Sequence, residues 1–139
     1  MYKPYPLLEY KTETTHDYCV SILTKDTPHN KYLFVISVDY PQQILIHPFP
    51  TKYTHKNMVN NGDVICAGEI TIHKDKVTII NQCEQYLPEY RSLHYAEQLL
   101  LQLGYTNIEK FYVMHYIHNL NDLKKQYVSP ELWEKYGIF

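Results

Sequence analysis

Two β-rich runs separated by a two-residue turn constrain this chain more than any other feature. Val64–His73 (V-I-C-A-G-E-I-T-I-H) and Lys76–Asn81 (K-V-T-I-I-N) flank Lys74-Asp75. Runs of β-branched residues on either side of a two-residue connection read as a β-hairpin. Because side chains alternate with a period of two, a loop of that length sets the register. Ile72 then faces Val77, Ile70 faces Ile79, and Glu69 faces Ile80. Ile70, Ile72, Val77 and Ile79 share one apolar face, while Glu69, Thr71 and Thr78 fall on the other. Gly68, beside Glu69, permits a bulge or the close approach of another group.

The rest of the chain supplies partners for that hairpin. Tyr32–Val38 (Y-L-F-V-I-S-V) is apolar on both faces and predicts a central strand. Tyr18–Thr24 is a second β-rich run, followed by a polar turn over K-D-T-P-H-N-K. Gln43–His47 predicts a short strand stopped by Pro48 and Pro50. Residues 51–62 are polar, end in N-N-G, and predict a loop with a helical turn around Lys56–Val59. Leu93, Ala96, Leu100 and Leu103, widened by Leu99, predict an amphipathic helix over Glu89–Leu103, with Gly104 as its stop. Lys110–Tyr116 predicts a strand. Asn121 suits the cap of a short helix through Tyr127, and Ser129-Pro130 that of a last helix carrying Leu132 and Trp133. Residues 1–16 predict an irregular segment. The expected architecture is one α+β domain over residues 1–139: a mostly antiparallel sheet with a central hairpin, and helices concentrated in the C-terminal third.

The chain has 139 residues, enough for one real core, and a net charge of −2. That charge does not favour a nucleic-acid-coating surface, though it leaves a local basic groove open. Tyr is abundant, at 15 copies; half-buried sheet positions, where the ring packs and the hydroxyl stays wet, are its ordinary explanation. Cys19, Cys66 and Cys83 form neither a metal knuckle nor an even disulfide set, which fits a reduced intracellular setting. No zinc motif, phosphate loop or cofactor signature occurs, so neither a metal nor a cofactor is expected. No apolar run is long enough for a signal peptide or a membrane span. The expected location is cytoplasmic, with delivery into a host cell by another route left open.

The chemistry-bearing residues gather where the hairpin meets the helix. Asn81–Pro88 (N-Q-C-E-Q-Y-L-P) leaves the sheet ladder and frees Asn81, Cys83, Gln85 and Tyr86 for a ligand. Asn81 and Tyr86 suit hydrogen bonding to an anionic group. Cys83, near a helix start, suits a nucleophile in principle, but a structural thiol is the simpler role. His55, in the polar loop, suits general acid–base work if a carboxylate orients it, and Glu69 is the candidate carboxylate. The plainer alternatives are a solvated His55, a Glu69 paired with a surface Lys, and a Tyr86 packed on the helix.

Lys31–Ser37 (K-Y-L-F-V-I-S), His55 within T-H-K-N-M, Ala67-Gly68-Glu69, Asn81 onward into Tyr86 and Pro88, and the Leu-rich helix ending at Leu103-Gly104 occur in a familiar order. In that order residues 31–110 resemble a domain of plant IQ-motif calmodulin-binding proteins, shared with C-terminal modules of bacterial polymorphic toxins and effectors. Where that domain carries S-G-H-Y-x-P, this chain has Cys83, Glu84, Gln85 and Tyr86, with Pro88 kept. The resemblance implies a small effector-like or accessory domain that binds a polar small molecule or protein partner. The missing Gly and His imply altered or lost chemistry, and the absence of a basic amphipathic helix argues against calmodulin binding. A toxin-type enzyme is the alternative, a ribonuclease or ADP-ribosyl transferring module using His55 and Glu69. The ribonuclease form would also need a cation such as Lys52 or Lys56. A third possibility is an interaction-based inhibitor with a Tyr-rich surface.

Overall fold

The two-residue turn at Lys74-Asp75 closes as the sequence implies, with Lys74 at a φ of 57°. Primed hairpin turns ask for such positive φ values because their twist matches that of the strands. A computed structural model describes residues 20–115 of the chain. Strands β1 (Ser21–Ile22), β2 (Asn30–Ser37), β3 (Leu45–Pro48), β4 (Val64–His73), β5 (Lys76–Ile80) and β6 (Asn107–Phe111) form one sheet. Its order is β1-β3-β2-β4-β5-β6. Every pairing is antiparallel except that of β5 with β6. The helical elements are α1 (His55–Met58), a 3₁₀ turn (Tyr90–Ser92) and α2 (Leu93–Leu103). The architecture is α+β and mostly antiparallel.

The hairpin register is the expected one: Glu69 pairs with Ile80, Ile70 with Ile79, and Ile72 with Val77. β2 lies between β3 and β4 and is buried from Tyr32 to Ser37. β3 begins and ends later than expected, with Pro48 its last residue, paired with Tyr32. Proline is tolerated there because β1 reaches only Leu45 and Ile46, so no neighbour needs an N–H from Pro48. β6 also departs from expectation. It ends at Phe111, and past it Asn81 takes over the role of a neighbouring strand. Its amide nitrogen donates to the Val113 carbonyl at 2.9 Å, and its oxygen accepts from the Val113 N–H at 2.7 Å.

α2 is the amphipathic helix the spacing predicts, with Leu93, Ala96, Leu99 and Leu100 buried. Gly104 ends it at a φ of 106°, and the Tyr105 N–H returns to the Leu100 carbonyl at 3.0 Å. The 3₁₀ turn before it is capped by buried Glu89, whose carboxylate accepts from the Arg91 backbone N–H and from Arg91 Nε, each at 2.7 Å. The expected helices at Asn121–Tyr127 and after Ser129-Pro130, the irregular segment 1–16, and the outer ends of the runs at Tyr18 and Tyr116 lie outside the described residues.

Both faces of the sheet are covered. On one, Tyr32, Phe34, Ile36, Ile70, Ile72, Val77 and Ile79 pack against Leu93, Ala96 and Leu100 of α2. On the other, Leu33, Val35, Leu45 and Ala67 pack with Met58, Val59, Cys83 and Tyr86. The face bearing Glu69 is therefore partly core, which corrects the simple apolar-versus-polar division of the hairpin. Its cover comes from α1 and from the Asn81–Pro88 segment.

Tyrosines explain much of how loops are fastened. Tyr32, Tyr95 and Tyr105 donate their hydroxyls to the carbonyls of Pro28, Pro41 and Thr24 at 2.6, 2.6 and 2.8 Å. Among the described residues, no helix is long and apolar enough to cross a membrane.

Candidate functional site

Three segments meet over the second face of the sheet and leave a cleft of about 230 Å³. Leu33 of β2 and Glu69 of β4 form its sheet side. Tyr53, Thr54 and His55 enter from the start of α1. Gln82, Cys83, Glu84 and Gln85 enter from the segment after β5.

α1 is short, and its start is held by a reciprocal cap. The Thr54 N–H donates to Asn57 Oδ1 at 2.9 Å, and the Asn57 N–H donates to Thr54 Oγ1 at 3.3 Å. This is a capping box with Asn in place of the usual Glu or Gln. Downstream, Asn60 and Asn61 take φ values of 52° and 64°, a conformation Asn tolerates better than most residues. The cap fixes where His55 points.

His55 is neither solvated nor reaching out from a loop: it is 4% exposed. Its Nε2 lies 2.8 Å from the Gly68 carbonyl oxygen, and its Nδ1 lies 3.3 Å from Gln85 Oε1. The His55 backbone N–H also donates to Gln85 Oε1, at 3.4 Å, and the Cys83 thiol lies 3.7 Å from the same oxygen. Burial pulls the His55 pKa below its ordinary value; the bonds to Gly68 and Gln85 and the charge of Glu69 oppose this but do not win. A neutral imidazole has one N–H. Assigned to Nε2 by the short bond to Gly68, it leaves a lone pair on Nδ1 facing an amide oxygen.

Glu69 keeps 24% of its side chain exposed and forms an ion pair with Lys31, Nζ to Oε1 at 3.2 Å. Lys31 pairs with Thr71 and Leu33 with Glu69, so the two charges are diagonal neighbours across strands. Glu69 thus does what its plainest reading asks, and lines the cleft as well.

Cys83 is buried, and desolvation pushes its thiol up to about 11. A thiol held protonated at neutral pH is a poor nucleophile, and Cys83 packs in the second core cluster. Cys66, fully buried, is pushed up to about 12 for the same reason.

Gly68 makes the site possible. A Cβ there would lie 1.8 Å from the Ile80 carbonyl oxygen and 3.0 Å from the Asn81 Cα. Only a residue without a side chain lets the chain leave β5 so close to β4.

The structure brings His55, Glu69, Cys83 and Gln85 together around the cleft. It directs Asn81 and Tyr86 elsewhere. Asn81 is fully buried, and its amide nitrogen also donates to the Pro88 carbonyl at 3.0 Å. Tyr86 packs in the second cluster, and its hydroxyl donates to the Gly62 carbonyl. Burial raises the Tyr86 phenol well above its ordinary range.

Sequence reasoning did not single out Tyr53, Thr54 or Gln82, and it met Glu84 as part of the junction and as a departure from the S-G-H-Y pattern rather than as a site residue. Gln82 and Glu84 had a signal. In N-Q-C-E-Q-Y the buried Asn81, Cys83 and Tyr86 leave Gln82, Glu84 and Gln85 more exposed, so the stretch turns its polar residues outward. Among the described residues, no group of three or more His, Cys, Asp or Glu side chains is placed to hold a metal ion.

No protein-family model matches the chain, and neither a curated protein nor a solved structure matches it.

Proposed function

We propose that this is a small effector-like or accessory domain that binds a polar group, of a small molecule or a partner, in the cleft at the hairpin/helix junction. One observation carries the reading: His55, Glu69, Cys83 and Gln85, from segments far apart in sequence, converge on one concavity. Its volume, about 230 Å³, lies below that of pockets for drug-sized ligands, about 300 Å³ and upward. It suits a head group or a single side chain. An apolar floor from Leu33 and Cys83 beneath a polar rim is the usual make-up of such a site.

The acid–base alternative, a ribonuclease or ADP-ribosyl transferring module, has less support. His55 spends Nε2 on a backbone carbonyl, and neither Lys52 nor Lys56 lines the cleft. The Lys56 ammonium lies 5.8 Å from the centroid of the Tyr86 ring. The inhibitor reading would draw on exposed Tyr residues. Tyr112, 52% exposed, is the only tyrosine among the large exposed apolar residues of the described region. Residence in a cytosol, native or host, belongs to the same proposal and is supported by the free thiols of Cys66 and Cys83.

The test is a ¹H–¹⁵N titration with a panel of small polar probes, charged and neutral. Binding at this site shifts the amides of Tyr53, Thr54, Gln82, Glu84 and Gln85 together. Shifts confined to the outer sheet edge near Tyr112 would refute the cleft as the site.

A further inference from the structure

One ring, that of His55, joins three parts of the loop-covered face. It belongs to α1. Its Nε2 lies 2.8 Å from the Gly68 carbonyl oxygen of β4, and its Nδ1 lies 3.3 Å from Gln85 Oε1 of the segment after β5. Both ring nitrogens therefore face acceptors. A neutral imidazole has one N–H to give, whereas an imidazolium has two.

The orientation of the Gln85 amide is fixed from the other side. His55 is the first residue of α1, so its backbone N–H has no partner within the helix. That N–H donates to Gln85 Oε1 at 3.4 Å, and the Cys83 thiol lies 3.7 Å from the same oxygen. A backbone N–H can only donate, so the oxygen and not the NH₂ group belongs there. Turning the amide over would offer Nδ1 a donor but set an NH₂ group against the backbone N–H. Moving the ring proton to Nδ1 would serve Gln85 and leave Nε2 and the Gly68 carbonyl, 2.8 Å apart, with no proton between them. Every arrangement of the neutral ring leaves one contact unmade. The imidazolium makes all of them, and the bond it adds to Gln85 is charge-assisted.

The sheet brings Glu69 to the ring's surroundings, with Lys31 ion-paired to it at 3.2 Å. α1 brings Lys56, whose ammonium lies 5.8 Å from the centroid of the Tyr86 ring. The segment after β5 brings Glu84 and the Cys83 thiol, and Tyr53 precedes the helix. The charge that bears on His55 is that of Glu69, which favours the imidazolium together with the Gly68 and Gln85 bonds. Burial opposes all three and prevails, so the ring is neutral in neutral solution and takes its proton in acid.

We infer that His55 and Gln85 form a proton-operated latch: a proton taken up by the imidazole tightens the Gln82–Gln85 segment onto α1, and its loss slackens the segment. Gln82, Cys83, Glu84 and Gln85 are one wall of the cleft, so the latch sets how firmly that wall is held. It stands independently of what the cleft binds.

The test follows the full chain by ¹H–¹⁵N NMR from about pH 8 to about pH 4, a range that brackets an ordinary histidine. Long-range correlations from the ring protons report which nitrogen of His55 is protonated. In neutral solution Nε2 is expected to carry the proton, and on acidification Nδ1 gains one with a midpoint below about 6.5. The amides of Gln82, Glu84 and Gln85 should move with that same midpoint, and their ¹⁵N relaxation should show less fast motion once the ring is charged. Gln85→Glu puts a carboxylate at Nδ1 and should raise the midpoint by about one pH unit or more. Gln85→Leu removes the acceptor, so the midpoint falls and the segment stops following the ring. Gln85 is only partly buried, and unchanged amides in β2 and β5 check that each variant keeps the fold. A neutral ring protonated at Nδ1 would overturn the latch. So would segment amides that ignore the ring's titration, or that keep the same midpoint in His55→Gln, where Glu69 and Glu84 titrate alone. An unmoved midpoint in Gln85→Glu counts against it equally. A ring that stays neutral until the chain unfolds overturns it as well, since the latch would then never close in the folded protein.

Discussion

The two faces of the sheet are built by different means. On the first, a regular helix lays aliphatic side chains against aliphatic strands, so the contact is continuous and almost entirely apolar. On the second, a one-turn helix and an irregular segment do the covering, and polar bonds hold them in place: Thr54 with Asn57, His55 with Gly68, Tyr86 with Gly62. Apolar packing fills space to near-crystalline density. Irregular backbone must satisfy its own N–H and C=O groups and cannot interdigitate as closely. The helix-covered face is a continuous apolar core. The loop-covered face also has a buried core, with Val35, Leu45, Met58 and Ala67 fully buried, and a cleft beside it lined by polar side chains.

The largest effect is expected at the seam between the faces. Gly68→Ala drives a Cβ into the Ile80 carbonyl and should cost about 4 kcal/mol or more, a large share of a domain's stability of about 5–15 kcal/mol. Urea denaturation followed by circular dichroism reads this directly, and a loss under about 1 kcal/mol would contradict the seam. Leu100→Ala, in the helix-covered core and fully buried, should cost about 3 kcal/mol with the cleft amides little changed. If the cleft amides collapse too, the two faces are not separable.

A smaller effect is expected on the loop-covered side. Tyr86→Phe keeps the ring in place and removes the donor to Gly62, costing about 1–2 kcal/mol. Its signature is faster hydrogen exchange in residues 53–62 than in α2, and uniform change across both faces would blur the contrast.

The mildest expectation concerns pH. The folded state holds the His55 pKa below its ordinary value, chiefly through burial. As pH falls through the unfolded-state value, about 6.5, the unfolded chain takes up a proton before the folded one does. This contribution is fully present above that value and declines below it until the folded His55 also protonates. Replacing the imidazole in His55→Gln should flatten the decline, measured as stability in urea from neutral to mildly acidic buffer. An equally steep decline in the variant would mean other groups carry it.

Much of the first face was legible in sequence, because its signals are local and periodic. A two-residue turn set the hairpin register to the residue, and the leucine spacing placed α2 against the sheet. The parallel pairing of β6 was not legible, since it depends on a partner across an entire crossover. The site was half legible. His55 and Glu69 stood out by residue type and position, and Cys83 and Gln85 by the junction they occupy. Asn81 and Tyr86 stood out equally, yet their side chains satisfy carbonyls 32 and 24 residues away, and no local pattern encodes that. Nor does a polar loop announce that its histidine will be buried. That follows from how a later segment folds over it.

Gly68 offers one more consequence. Its missing side chain admits the chain leaving β5, and its carbonyl receives His55, so frame and cleft floor depend on a single backbone position. Sequence drift there would erase both at once. Gln82 and Glu84, on the rim, touch neither dependency. The design separates an inheritance that must be kept whole from a small vocabulary free to vary, and a change in the chemistry of the cleft would be written at the rim.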